Sequence, residues 1–197
     1  MFDYFMDVEY VVCGELHCWG TPCIREVCII EMSTFKIWTY HVKICSKVED
    51  MSEKDKRTAL YVKKNINGLN PYIWSSYTCF RLIDEFKTYF ERNKNFRIAY
   101  KGGIYEKKLI EHFGCNSLDV EKYPFCVPPI KNMSNYNSFE RFGCGEHSRI
   151  QKSNMLHCPK AECCAFIHHM YMNSLDLIPK DIQQTIYDNL ICKIVKT

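Results

Sequence analysis

No stretch of this sequence strings together the roughly 20 apolar residues that a bilayer-crossing helix needs, so no membrane segment is expected. The N-terminal run Met1-Phe-Asp-Tyr-Phe-Met-Asp7 has neither the basic start nor the long apolar stretch of a secretory signal. A strong charge bias is missing too. The net charge of +3 and the pI near 8.2 are too mild to indicate a nucleic-acid partner by themselves. There is no internal repeat, no low-complexity segment and no glycine-rich phosphate loop, Lys101-Gly102-Gly103 being too short for one. These absences set aside membrane, repeat and phosphate-loop proteins.

What is abundant is cysteine, thirteen in 197 residues. An odd count without a secretory signal argues against a disulfide framework and for a reducing, intracellular setting, cytoplasmic or nuclear. There a thiol is most often a small buried hydrophobe, and only spacing singles out a few. The sequon Asn132-Met133-Ser134 then reads as accidental, because glycosylation needs a secreted chain.

Hydrophobic residues at 47% and charged residues at 25% describe an ordinary globular chain, and the length suits one domain over 1–197. Aromatic and β-branched runs over 4–12, 26–32 and 35–44 read as three strands, with turns at Gly14, at Gly20-Thr-Pro22 and at Ser33-Thr34. Helical periodicity follows over 55–65 and 78–92, where Phe80, Ile83, Phe86, Tyr89 and Phe90 share a face. A strand over 96–100, a helix over 104–113 ended by Gly114 and a strand over 117–120 come next. The segment 121–154, with Pro124, Pro128 and Pro129, is a long irregular excursion, and loops of that length are usually functional or tied down. Helices over 158–172 and from Pro179 to about Lys193 close the chain. A meander followed by alternating helices and strands predicts a mixed five-stranded sheet flanked by helices, a pattern that RNase H-like domains share with other α/β folds.

Cys144-Gly-Glu-His147, followed ten residues later by Cys158, forms a Cys-x2-His-x10-Cys array, and thiolate and imidazole are favoured zinc ligands. The array lies where a loop needs a staple. On residue types alone, Cys163, Cys164 or His157 could complete four ligands.

The segment Pro22-Cys-Ile-Arg-Glu26-Val-Cys-Ile-Ile30, taken with Cys144, His147 and Cys158, resembles the Maelstrom domain of piRNA-pathway proteins. That domain is an RNase H-like relative of the DEDD exonucleases with a Glu-Cys-His-Cys zinc set. Arg97-Ile-Ala-Tyr-Lys-Gly-Gly-Ile-Tyr-Glu-Lys-Lys-Leu-Ile110 also resembles a group of insect and other invertebrate proteins related to the same exonuclease fold. The likeness spans roughly 4–171, although the HMG box that commonly precedes the Maelstrom domain is not legible in these residues. It implies an RNase H-like domain with a structural zinc ion on Glu26, Cys144, His147 and Cys158. Removing that ion is expected to unfold the 121–154 loop and the helix after it.

The resemblance to DEDD exonucleases also implies a catalytic set. Asp7-Val-Glu9 stands for the Asp-x-Glu of the first strand, Glu106 for the third acid, and His157 with Glu162 for the His-x4-Asp motif. Glutamate replaces aspartate at two of these positions. Converging acids would cage two magnesium or manganese ions, with His157 taking a proton from water. The plainer alternatives are that Glu106 is a helix N-terminal acid placed by the dipole and that His157 is a surface or rival zinc residue. Lys101, Lys107 and Lys108, beside Arg97, could hold phosphates, as could the stretch with Lys54, Lys56, Arg57, Lys63 and Lys64. Both stretches could equally be solvated helix faces. Trp38 and Trp74 suit packing better than base stacking.

The expected function is nucleic-acid processing, as a metal-dependent 3′–5′ exonuclease acting on single-stranded RNA or DNA. Its alternatives are a catalytically degenerate RNA-binding module and a zinc-stabilised protein-interaction scaffold.

Overall fold

A computed structural model describes residues 8–19, 21–42, 51–70, 79–91, 96–122, 125–133, 135–151 and 154–196, with side-chain detail beginning at Arg25. Five strands form one sheet in the order β3-β2-β1-β4-β5. They are β1 (Val8–Trp19), β2 (Thr21–Glu31), β3 (Ile37–His41), β4 (Arg97–Tyr100) and β5 (Asn116–Asp119). The pairs β1/β2 and β2/β3 are antiparallel, and β1/β4 and β4/β5 are parallel. The helices are α1 (Glu53–Val62), α2 (Cys79–Glu91), α3 (Ile104–His112), α4 (Pro159–Ser174), α5 (Lys180–Ile186) and α6 (Cys192–Lys196). The chain is thus a mixed α/β protein. No helix among the described residues is long and apolar enough to cross a membrane.

Strand alternation builds two cores. Val27 and Ile29 of β2, with Ile98 and Tyr100 of β4, face Phe86 and Phe90 of α2 and Leu109 and Ile110 of α3. Cys28 and Ile30 of β2, with Ala99 of β4, face the other way onto α4. A sheet covered on both faces explains why its inner strands read as nearly unbroken apolar runs. On the first face Phe86, Phe90 and Phe113 pack ring against ring, with centroids 5.4–5.8 Å apart. Trp38 packs against that cluster, with the Lys36 Nζ 4.8 Å from its ring centroid, which agrees with the packing role expected of it. Trp74 lies outside the described residues.

The turn expected at Gly14 is absent. Gly14 sits inside β1 opposite Val27, and the hairpin ribbon runs on until Trp19 pairs with Thr21. A glycine in a long two-stranded ribbon need not end it when pairing continues on both sides. The helix expected over 55–65 begins earlier, because the Ser52 hydroxyl accepts the Asp55 N–H at 3.2 Å and caps α1. It then widens into a π-helical turn, Lys63–Asn67.

Among its described residues, the long excursion after β5 holds only three single-turn 3₁₀ helices, at Ile130–Asn132, Tyr136–Ser138 and Glu140–Phe142. It is nonetheless anchored. Phe125, Val127, Met133, Tyr136 and Phe139 are buried in the α4-side core. The Tyr136 hydroxyl donates to the Leu156 carbonyl at 2.8 Å, and the buried Glu140 carboxylate accepts the Leu156 N–H at 2.8 Å. Apolar anchors therefore hold the first half of the loop without any metal.

Candidate metal centre and adjoining cleft

Glu26 lies on β2, opposite Glu15 of β1 and His41 of β3, and is fully buried. Strand alternation turns it to the same side as Cys28, the side on which α4 packs. A carboxylate taken out of water needs partners. Cys158 arrives there as the N-cap of α4, with Pro159 in the first turn. Cys144 and His147 come from the irregular stretch after the Glu140–Phe142 3₁₀ turn. The donor atoms of Glu26, Cys144, His147 and Cys158 all lie within 4.8 Å of one another.

The group has the chemistry of a metal site. Bonds of about 2.0–2.3 Å to a tetrahedral ion put ligand atoms roughly 3.3–3.8 Å apart, within reach of this arrangement by small side-chain shifts. One Glu26 oxygen contacts the His147 Nε2, while the other, Oε1, is buried with no hydrogen-bond partner. Such an atom is costly unless an ion or a further ligand answers it. Two sulfurs, one imidazole and one carboxylate could hold a metal, and the donor set is consistent with zinc.

His147 is oriented from behind. Its Nδ1 lies 2.7 Å from the Asn67 carbonyl oxygen, the last residue of the π turn, so Nδ1–H donates and Nε2 is left for the ion. Leu69 forms a bridge with His147, and the Ser148 N–H donates to the Gly68 carbonyl at 2.9 Å. Gly68 has φ +67°, and a Cβ there would stand 1.8 Å from the Ser148 carbonyl oxygen. Only glycine lets the two segments approach this closely.

The titrating groups in the centre behave as a coupled set. The Cys158 thiol is shifted down, first because the Cys144 thiol donates to it, and further by His147. The Cys144 backbone N–H also donates to the Cys158 sulfur, at 3.3 Å. The Cys144 thiol is shifted up by that same donation, then by burial and by Glu26. Burial pushes His147 down, but hydrogen bonds to Cys158 and Glu26 outweigh it and raise the ring to about 11.

At neutral pH, then, the metal-free centre holds two displaceable protons, the Cys144 thiol proton and the one on His147 Nε2, while the Nδ1 proton stays with the Asn67 carbonyl. Both must leave when a dication binds, because thiolate and neutral imidazole are the ligands. Metal affinity is expected to rise with pH, by about 100-fold per unit around neutrality, as two protons are exchanged for one dication. Calorimetric titration in buffers of different ionisation enthalpy counts them. Release of fewer than about one proton would contradict the assignment.

The rival ligands lie elsewhere. Cys163 is buried, with its sulfur 3.7 Å from the Cys28 carbonyl oxygen, and burial raises the neighbouring Cys164 thiol, so both serve the core. His157 turns away, its Nδ1 3.1 Å from Glu162 Oε1.

That His157–Glu162 pair opens onto a cleft of about 440 Å³, also lined by Lys101, Glu106, Lys131 and Phe166. Three of the expected catalytic residues and one expected phosphate-binding lysine therefore share one depression. Glu106 occupies the first turn of α3 and lies back on Gly103, where a Cβ would stand 1.6 Å from its Oε2. The dipole alternative accounts for that placement. Lys101 forms an ion pair with Glu121. Lys107 and Lys108 are exposed on α3 and do not line the cleft, and Lys107 pairs with Glu111 at 3.6 Å.

Asp7 lies outside the described residues. Glu9 is on β1, where Val8 is level with Arg97 and Val12 with Tyr100. Its backbone is thus three residues, or about 10 Å, behind the end of β4, from which the chain enters the cleft. Among the described residues the only grouping with metal-holding geometry is Glu26, Cys144, His147 and Cys158. The residues described in the cleft do not by themselves fit a magnesium or manganese pair.

The lysines of 54–64 occupy α1 and its π turn, where Lys56 pairs with Glu53 at 3.0 Å. Asn67, Gly68 and His41 escaped the sequence reading. A carbonyl contact and a cross-strand neighbour leave no local signature; only the Asn-Gly pair at 67–68 marked a turn. Comparison of the chain with protein-family models, curated proteins and solved structures found no match.

Proposed function

We propose that the metal is zinc, that it staples an RNase H-like domain of the Maelstrom and DEDD-exonuclease kind, and that the cleft beside it binds single-stranded nucleic acid, RNA foremost. The observation that carries this reading is the junction at 157–158. Cys158 is the metal-site residue that opens α4, and His157 immediately before it lines the cleft with Glu162, Lys101 and Phe166. Folding around the ion therefore sets the cleft wall. The mixed sheet order β3-β2-β1-β4-β5 supports the fold assignment. A closed four-ligand site with two thiolates supports a structural ion, since catalytic zinc keeps a position open for water.

In the cleft, Lys101 and the exposed Lys131 supply positive charge, and the Lys101 Nζ lies 5.9 Å from the Phe166 ring centroid. The lysines suit phosphates, while Phe166, only 2% exposed, underlies the cleft as part of the core and offers no face to a base. A second reading, 3′–5′ trimming, is favoured by the His157–Glu162 contact, in which a carboxylate orients an imidazole that could take a proton from water.

Fluorescence anisotropy with single-stranded RNA and DNA tests the binding. Lys101→Ala and Lys131→Ala should each weaken it about tenfold and reduce the salt slope by about one. Unchanged binding in both variants, or none in the wild type, contradicts the reading and leaves a protein-interaction scaffold. Manganese-dependent trimming that Glu162→Gln and Asp7→Ala/Glu9→Ala both abolish would establish the enzyme.

A further inference from the structure

We propose that His41 is a reserve ligand of the metal centre, able to take Glu26's place on the ion and so to provide the route by which metal enters and leaves. This rests on the metal-site reading above. His41 ends β3 directly opposite Glu26. Its Nε2 lies 3.7 Å from Glu26 Oε1 and 3.7 Å from Cys144 Sγ. Both separations are close to those between neighbouring ligands of a tetrahedral zinc ion, about 3.3–3.8 Å. The ring therefore already stands one ligand's spacing from two of the four donors, and a side-chain rotation, with no backbone movement, would carry its nitrogen to the ion.

Chemistry favours the exchange. Glu26 offers the hardest donor of the set, an oxygen, whereas zinc and cobalt accept nitrogen and sulfur readily. Replacing it by His41 gives Cys₂His₂, a familiar structural zinc set. The carboxylate is suited to such an exchange because its Oε1 is buried and turned toward His41, with no hydrogen-bond partner.

Access points the same way. The side chains of Glu26 and His147 are 0% and 1% exposed, while that of His41 is 25% exposed. An arriving hydrated ion, or a chelator removing one, meets the His41 ring before those buried ligands.

Cobalt(II) titration of the full chain, read by thiolate-to-cobalt charge transfer and tetrahedral d–d absorption, tests the proposal with wild type, Glu26→Gln, His41→Ala and the double variant. Glu26→Gln should keep one equivalent of tetrahedral cobalt, with affinity within about tenfold of wild type, and the double variant should bind about 100-fold more weakly than Glu26→Gln. His41→Ala alone should keep wild-type affinity but surrender its metal to a chelator about tenfold more slowly. Equal affinities of Glu26→Gln and the double variant overturn the proposal, as does loss of cobalt from a natively folded Glu26→Gln. If the double variant does not fold, chelator transfer decides: equal rates from His41→Ala and wild type overturn it. A wild type that takes up no cobalt overturns the metal reading itself, and this proposal with it.

Discussion

Replacing Cys158 with serine is expected to abolish stoichiometric metal binding and to lower the thermal midpoint by about 10 °C. The sulfur has several tasks: it is a ligand atom, it accepts the Cys144 N–H, and it stands at the start of α4. Without it Glu26 and His147 remain, buried, with no ion between them. Binding of the ion to the folded chain alone adds about 3–4 kcal/mol when the ion is at roughly 100- to 1,000-fold its Kd, and in a domain of this size each kcal/mol moves the midpoint by about 2–4 °C. The loss should be local as well as global. Hydrogen exchange should speed up over 143–158, while 125–139 keeps its protection through Phe125, Val127, Met133, Tyr136 and Phe139. That footprint is narrower than the whole 121–154 excursion expected from the sequence, because its first half is held by apolar burial. Thermal melts with and without zinc, followed by exchange mass spectrometry, provide the check. A variant that melts with the wild type contradicts the staple.

Gly68→Ala is expected to cost about 3 kcal/mol or more and to weaken metal binding roughly ten- to a hundredfold, although residue 68 touches no ligand atom. A left-handed backbone costs a non-glycine residue about 1–2 kcal/mol. The remainder comes from the Cβ at 1.8 Å from the Ser148 carbonyl oxygen, which must push the His147–Ser148 segment away from the π turn. His147 then loses the Asn67 carbonyl that holds its ring. Gly145→Ala is the control. It too has positive φ, at +86°, but nothing lies within 4 Å of a Cβ there, so it should cost only about 1 kcal/mol. Urea melts and calorimetric metal titrations of the two variants separate strain from lost orientation. Equal losses at both positions would show that Gly68 acts through backbone conformation alone.

The residues differ in how far the sequence disclosed them. Cys144, His147 and Cys158 sit close enough in the chain for their spacing to speak, and α4 begins where proline permits a first turn. Glu26 lies 121 residues before His147, and no local pattern joins the two, so only resemblance to a family supplied it. Asn67 acts through a main-chain carbonyl, which every residue possesses, and His41 acts through strand pairing. Neither is a composition signal. The cleft shows the complementary case. His157 and Glu162 share a wall because both stand at the start of one helix, whereas Glu106 is drawn toward its own helix N-terminus. Gly14 makes no turn, because a glycine marks a break only when the pairing around it stops.

The most direct test of the account is the metal content of the full chain purified without chelator, measured by native mass spectrometry beside elemental analysis. The account predicts one zinc per chain in the wild type, and none retained by Cys144→Ser, His147→Ala or Cys158→Ser. Less than about half an equivalent in the wild type, or a full equivalent surviving in the Cys158→Ser protein, would contradict it.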